Sequence, residues 1–190
     1  MSVPAITLGI GARRCVGKDT LGQLLNRLHS KVRLYSFATA LRADLGPFIH
    51  EQFGIDVWTS DPRQKEFIRP YLLCHGMAWR QRDPLHWVKR TMEAIQHDLK
   101  VVPELIPVIT DTRFPNEVTY FREHYGSSYH LLDLSRKGAP PPTDEEEKHY
   151  REVQAMADFH LEWGEDTPEQ QVEHARQVLA WLGLDVLVSA

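Results

Sequence analysis

Cysteine is scarce in this chain, with only Cys15 and Cys74 among 190 residues. No four-ligand Cys/His spacing accompanies them, so neither a disulfide framework nor a structural zinc is expected, and a reducing compartment such as the cytoplasm fits. An excess of positive charge is also missing: 22 Lys and Arg stand against 26 Asp and Glu, a formal charge of -4. A protein-wide grip on a polynucleotide is therefore not expected, although a local basic patch can still hold a small anion. The start of the chain lacks the basic residues and unbroken apolar stretch of a signal peptide. Nowhere is there a run of about 18 apolar residues, so neither export nor a membrane span is expected. Repeats at a period of about 20–50 residues are absent, and no linker divides the chain. What is present is a globular balance of 42% hydrophobic and 25% charged residues. At this length roughly 70% of the unfolded surface can be buried, so a single domain, 1–190, is the expectation.

Short β-branched apolar runs alternate with longer amphipathic stretches, as in a parallel sheet whose strands are joined by crossover helices. The runs are Ala5–Ile10, Val32–Phe37, Leu105–Thr110, Tyr129–Leu134 and Phe159–Trp163. Helical patterns cover Lys18–Leu28, Thr39–Phe53, Pro84–Leu99, Asn116–Tyr125 and Pro168–Leu182. Thr167 is placed to cap the last of these, with Pro168 at its first position. Pro47 predicts a bend or break in the second, because proline removes a donor and clashes with the preceding turn. Two stretches stand outside the alternation. Residues 58–82 are rich in Arg, Lys and aromatics; residues 135–150 carry Pro140, Pro141 and Pro142 followed by an acidic run. The second reads either as a solvated loop or as a lid.

The segment between the first strand and the first helix carries the chemistry: Gly11, Ala12, Arg13, Arg14, Cys15, Val16, Gly17, Lys18, Asp19 and Thr20. A strand-loop-helix turn aims several backbone N–H groups and the positive end of a helix dipole at one point, where a following lysine reaches the outer phosphates of a nucleotide. The P-loop pattern asks for Gly, four residues, Gly, Lys and then Ser or Thr. Here Ala12 stands at the first position and Asp19 where the hydroxyl belongs. ATP is thus the expected ligand and Lys18 the β/γ-phosphate contact. Thr20 offers a hydroxyl and Asp19 a carboxylate to Mg2+; without a metal, Asp19 would still favour the helix dipole.

Gly17-Lys18-Asp19-Thr20, the stretch Tyr35 to Arg42 after the second strand, and Ile109 to Val118 after the third together resemble the bacteriophage-type deoxynucleoside monophosphate kinases. The motifs occur in order and span most of the chain. The resemblance implies a P-loop NTPase three-layer α/β/α sandwich with a five-stranded parallel sheet, as in nucleoside monophosphate kinases. It also implies Mg2+-dependent transfer of the ATP γ-phosphoryl to a deoxynucleoside monophosphate, supplying DNA precursors in a virus-infected cell.

Such chemistry needs two phosphates in line and positive charge over the transferring oxygens, which puts Lys18, Arg80, Arg113 and Arg136 forward as catalytic candidates. Asp111, at the end of the third apolar run, is placed to organise Mg2+ as a Walker-B-like carboxylate, or else to cap the next helix. Glu117 is close enough in sequence to pair with Arg113. On the resemblance, acceptor binding falls to Phe37, Arg42, Lys65, Arg69, Trp79 and Arg80, aromatic faces for a base and guanidinium forks for a phosphate. Trp79 serves equally as core, and Trp87 reads as packing. Among the histidines, only His75, His149 and His160 merit inspection, and they read as structural.

Other readings remain. A P-loop kinase of another small phosphorylated acceptor, such as dephospho-coenzyme A or phosphomevalonate, would use the same loop. A nucleotide-binding switch would hold ATP or GTP without transfer, although the many arginines exceed what one nucleotide needs. A polynucleotide end kinase is disfavoured by the acidic balance. The helix faces leave monomer and homodimer both open.

Overall fold

The structure is a computed structural model describing residues 3–13, 16–139, 144–164 and 166–186, with the side chains of 144–146 excepted. Arg14, Cys15 and the three consecutive prolines lie outside the described residues. Two compact units emerge, one made of Met1–Tyr35 with Ile95–Ala190 and the other of Ser36–Ala94.

The first unit holds a five-stranded, all-parallel sheet in the order β2-β3-β1-β4-β5. Its strands are β1 (Thr7–Ala12), β2 (Val32–Tyr35), β3 (Ile106–Thr112), β4 (Tyr129–Arg136) and β5 (Phe159–Trp163). The five expected strands are all present. The first, third and fourth extend two residues further than the apolar runs, because the ladder pairs Gly11 with Thr112 and with Asp133. Helices α1 (Lys18–Leu28) and α7 (Pro168–Trp181) pack together on one face, and α5 (Pro115–Tyr125) and α6 (Asp144–Ala155) on the other. Leu21 and Leu25 of α1, Val178 and Leu179 of α7 and the sheet residues Leu8, Ile10, Val108, Leu132 and Leu134 form one continuous core. Thr167 caps α7 as expected: its hydroxyl accepts from Gln170 N at 3.3 Å and its own N–H donates to Gln170 Oε1 at 2.8 Å.

The second unit contains α2 (Phe37–Phe53), α3 (Pro62–Arg82) and the first residues of α4 (His86–Val101). Ser36 caps α2 and Asp61 caps α3, where Pro62 takes the first helical position. Contrary to the expected break, α2 runs unbroken through Pro47. Leu45 and Ile49, on either side of the proline, are buried against Val57 and Ile68. Each such burial is worth about 1.5–3 kcal/mol, enough to offset the roughly 3 kcal/mol cost of an interior proline.

The two excursions contain more regular structure than their composition promised. Most of 58–82 is α3. In 135–150, β4 continues through Arg136 and α6 starts at Asp144, so the stretch is not wholly an irregular loop. Glu147 stands in the first turn of α6, where the dipole favours a carboxylate. Tyr150 and Val153 are buried on the sheet side, an apolar face that the acidic run conceals.

Candidate active site

The carboxyl ends of β1, β3 and β4 lie side by side in the first unit, and open parallel sheets place their ligands at such an edge. From β1 the chain passes through Arg13 to Gly17, which adopts φ 93° and ψ 18°, a left-handed conformation that glycine enters without steric cost. The Gly17 carbonyl accepts from Leu21 N at 2.9 Å, opening α1 with Lys18 at its first position. The Lys18 ammonium lies 2.8 Å from Asp19 Oδ1, and both Asp19 and Thr20 are solvent-exposed. Gly11, Ala12 and Val16 are buried beneath the loop.

Sheet pairing brings two more of the expected groups to this edge. Because Gly11 pairs with Thr112, half-buried Asp111 and exposed Arg113, on either side of Thr112, stand at the end of β3 beside the end of β1. Because Ala12 pairs with Leu134, Arg136 stands two residues further along β4 on the other flank. The cap of α5 is Phe114, not Asp111; Glu117 Oε2 accepts from Phe114 N at 3.1 Å and from Arg113 N at 2.8 Å. Glu117 is thus tied to the backbone N–H groups of Arg113 and Phe114.

Among the described residues, no group of three or more His, Cys, Asp and Glu is gathered to hold an ion. The donors at the edge, Asp19, Thr20 and Asp111, are all oxygen. They suit a Mg2+ that keeps several waters and arrives with phosphates, but not a cage made by the protein alone.

The remaining expected residues belong to the second unit. Phe37 is 3% exposed and presents almost no surface to a ligand. Arg42 lies over the Trp58 ring at 5.6 Å. Lys65 is exposed on α3, and Arg69 and Arg80 are half-buried on the same helix. Trp79 is half-buried with its ring stacked on His86 at 4.2 Å and 13°, while Arg82 sits 5.7 Å from the ring centre. Trp87 is packing, as read: it is buried, and its Nε1 donates to Gly76 O at 3.2 Å. His75 Nε2 lies 2.6 Å from Asp44 Oδ2.

A polar network on β4 and α6 escaped the sequence reading. Asp133, whose side chain is 4% exposed, accepts from the Tyr150 hydroxyl at 2.9 Å and from Gln154 Nε2 at 2.9 Å, and lies 3.2 Å from His160 Nδ1. Burial and the neighbouring Asp133 carboxylate push the Tyr150 phenol well above its ordinary pKa. The available signal was one carboxylate inside the apolar run Leu131-Leu132-Asp133-Leu134, since buried charge is seldom left unpartnered. His149 lies 4.9 Å from the Phe114 ring.

No protein-family model matches the sequence, and neither does any curated protein. Among solved structures, the tunicamycin resistance protein of Deinococcus radiodurans aligns with a TM-score of 0.59 at 14% identity, over 97% of this chain and 99% of that one. The APS kinase of Mycobacterium tuberculosis aligns with a TM-score of 0.47 at 12% identity, over 95% and 99% of the two chains. A gluconokinase of Sinorhizobium meliloti gives 0.43 at 11% identity, over 95% and 94%. The first likeness is one of fold. With the strand order, it shows an α/β fold in which helices pack on a five-stranded parallel sheet.

Proposed function

We propose that this chain is an ATP-dependent deoxynucleoside monophosphate kinase serving DNA precursor synthesis, as the family resemblance implies. The observation that carries the reading is the edge of the first unit. There a left-handed Gly17 and Lys18 at the start of α1 share the sheet edge with Asp111 on β3, Arg113 just beyond it and Arg136 at the end of β4. Phosphoryl transfer demands positioning and charge compensation more than covalent chemistry, and this edge supplies both. A phosphate oxygen of the acceptor forms the new bond to the γ-phosphorus, the bond to the β–γ bridging oxygen breaks, and ADP leaves. Lys18 and the loop N–H groups stabilise the β and γ oxygens, and Arg113 and Arg136 add charge where it develops. Mg2+ carried by ATP would be held at Asp111 with Asp19 or Thr20, and supplies neutralisation of the β and γ oxygens. Acceptor recognition falls to Arg42, Lys65, Arg69, Trp79 and Arg80, since Phe37 is buried. Among the described residues, no helix is long and apolar enough to cross a membrane.

A second reading is favoured by the Asp44–His75 pair. A phosphate acceptor has no proton to surrender at neutral pH, whereas a hydroxyl acceptor needs a base, and a carboxylate-supported imidazole provides one. Dephospho-coenzyme A belongs to that class. The deciding assay combines ATP and Mg2+ with dAMP, dGMP, dCMP, dTMP, their ribose counterparts and dephospho-coenzyme A, and quantifies phosphorylated product. Rapid dNDP formation supports the first reading and phosphorylation of a hydroxyl the second. ATP binding without transfer to any acceptor points to a switch.

A further inference from the structure

Arg13, the first loop residue after β1, is held from two sides by α6. Its Nη2 lies 2.7 Å from Glu147 Oε2, and its guanidinium carbon sits 4.3 Å from the centre of the Tyr150 ring. These contacts differ in kind. The ring is braced, because the Tyr150 hydroxyl donates to buried Asp133 at 2.9 Å and Gln154 reaches Asp133 at 2.9 Å and the Tyr150 oxygen at 3.2 Å. Asp133 in turn stands opposite Gly11 in the β1–β4 ladder, so the ring is fixed relative to the base of the loop. A ring face attracts a cation without demanding one orientation, so the guanidinium can turn over it.

Glu147 has a second cation. Arg151 Nε, one helical turn further along α6, lies 2.7 Å from Glu147 Oε1. If Arg13 leaves, the carboxylate is still compensated. Arg13 itself keeps donor capacity in hand, since its Nε is buried without an acceptor among the described residues. A triphosphate competing for this guanidinium therefore displaces a carboxylate that loses little, and the pivot beneath the guanidinium stays in place.

We infer that Glu147, Tyr150 and Arg151 are positioning residues for nucleotide binding. Glu147 is the exchangeable partner of Arg13, Tyr150 is its pivot, and Arg151 takes over the charge of Glu147 when the phosphates of ATP draw Arg13 away. The inference rests on the reading of the loop as an ATP site, not on the identity of the acceptor.

Calorimetric titration of the full chain with Mg-ATP tests it. E147Q removes the competitor, and ATP binds about three- to fivefold more tightly, the worth of one partly exposed ion pair. R151A leaves Glu147 with Arg13 alone, and ATP binds about twofold more weakly, the worth of an i,i+4 pair. Y150F keeps the ring and stays within about twofold of wild type, whereas Y150L loses about threefold or more with the cation–π contact. The opposite signs for E147Q and R151A discriminate, because a structural staple would weaken binding in both. Weakening in both, accompanied by a lowered melting temperature, overturns the inference, and so does a wild-type chain that binds no ATP. Opposite signs in a chain that phosphorylates no dNMP sustain it and overturn only the proposed acceptor.

Discussion

Gly17 is the position where backbone conformation, not side-chain chemistry, sets the turn into α1, the phosphate-binding loop of the proposed ATP site, and replacing it separates the two. At φ 93° the residue lies where an L side chain clashes with its own backbone. Space is not the obstacle: a Cβ at this position would meet only ring carbons of Trp163 at 4.0 Å, an ordinary contact. The cost of Gly17→Ala is therefore the left-handed penalty of about 1–2 kcal/mol. At about 2–4 °C per kcal/mol for a chain of this size, thermal denaturation should register a loss of roughly 2–8 °C. Relaxing φ to avoid the strain would swing the N–H groups of Lys18 and its neighbours off their common focus, so ATP affinity falls about tenfold, a loss of about 1.4 kcal/mol. Asparagine tolerates the left-handed region better than alanine, so Gly17→Asn retains more of both stability and binding. The reasoning is refuted if Asn proves worse than Ala, since size against Trp163 would then decide, or if Ala melts within about 1 °C of wild type.

Four further outcomes follow from the same geometry. Lys18→Ala lowers the transfer rate at least about a hundredfold with little change in melting temperature, because its ammonium pairs with the exposed Asp19 and its charge acts on the transition state; retained turnover removes Lys18 from the mechanism. Arg113→Ala loses activity without loss of stability, since Glu117 binds the backbone N–H; a fall of many degrees would instead make the guanidinium structural. Gly9→Ala drives a Cβ into the buried Tyr129 hydroxyl and costs about 1–3 kcal/mol of overpacking, which Tyr129→Phe partly restores in the double variant; additive losses would deny the contact. His29 is 2% exposed and accepts from Lys31 N at Nδ1, and burial followed by the Lys31 charge lowers its pKa. The unfolded chain then holds the proton more tightly, so this contribution is complete above the ordinary 6.5 and is lost as pH falls from there toward the lowered native value. Melting curves across that window should slope for wild type and flatten for His29→Gln, and equal slopes would reject the assignment.

Features that depend on a few neighbouring residues were legible before any coordinates. The five strands, the cap formed by Thr167 and Pro168, and the turn at Gly17 into α1 rest on side-chain periodicity, a capping hydroxyl and glycine freedom, which act within one or two turns of chain. Pro47 does not break α2, because its local cost is real, yet the burial of Leu45 and Ile49 against Val57 and Ile68 outweighs it. The charges of the acidic stretch before Tyr150 conceal a helix whose inward side rests on the sheet. Composition does not say whether an aromatic ring faces solvent, and Phe37, offered as a base platform, is buried.

The placing of Asp111, Arg113 and Arg136 at the same end of the sheet as the turn into α1 belongs to the ladder pairing of Gly11 with Thr112 and of Ala12 with Leu134, partners about a hundred residues or more apart. The same long-range register sets Asp133 opposite Gly11, under Tyr150 and so under Arg13. Strand order in a parallel sheet is chosen by how crossover helices bury their faces across the whole unit. The turn into α1 could therefore be read from one end of the chain alone, while Asp111, Arg113 and Arg136 came to the same sheet edge only when the strands paired.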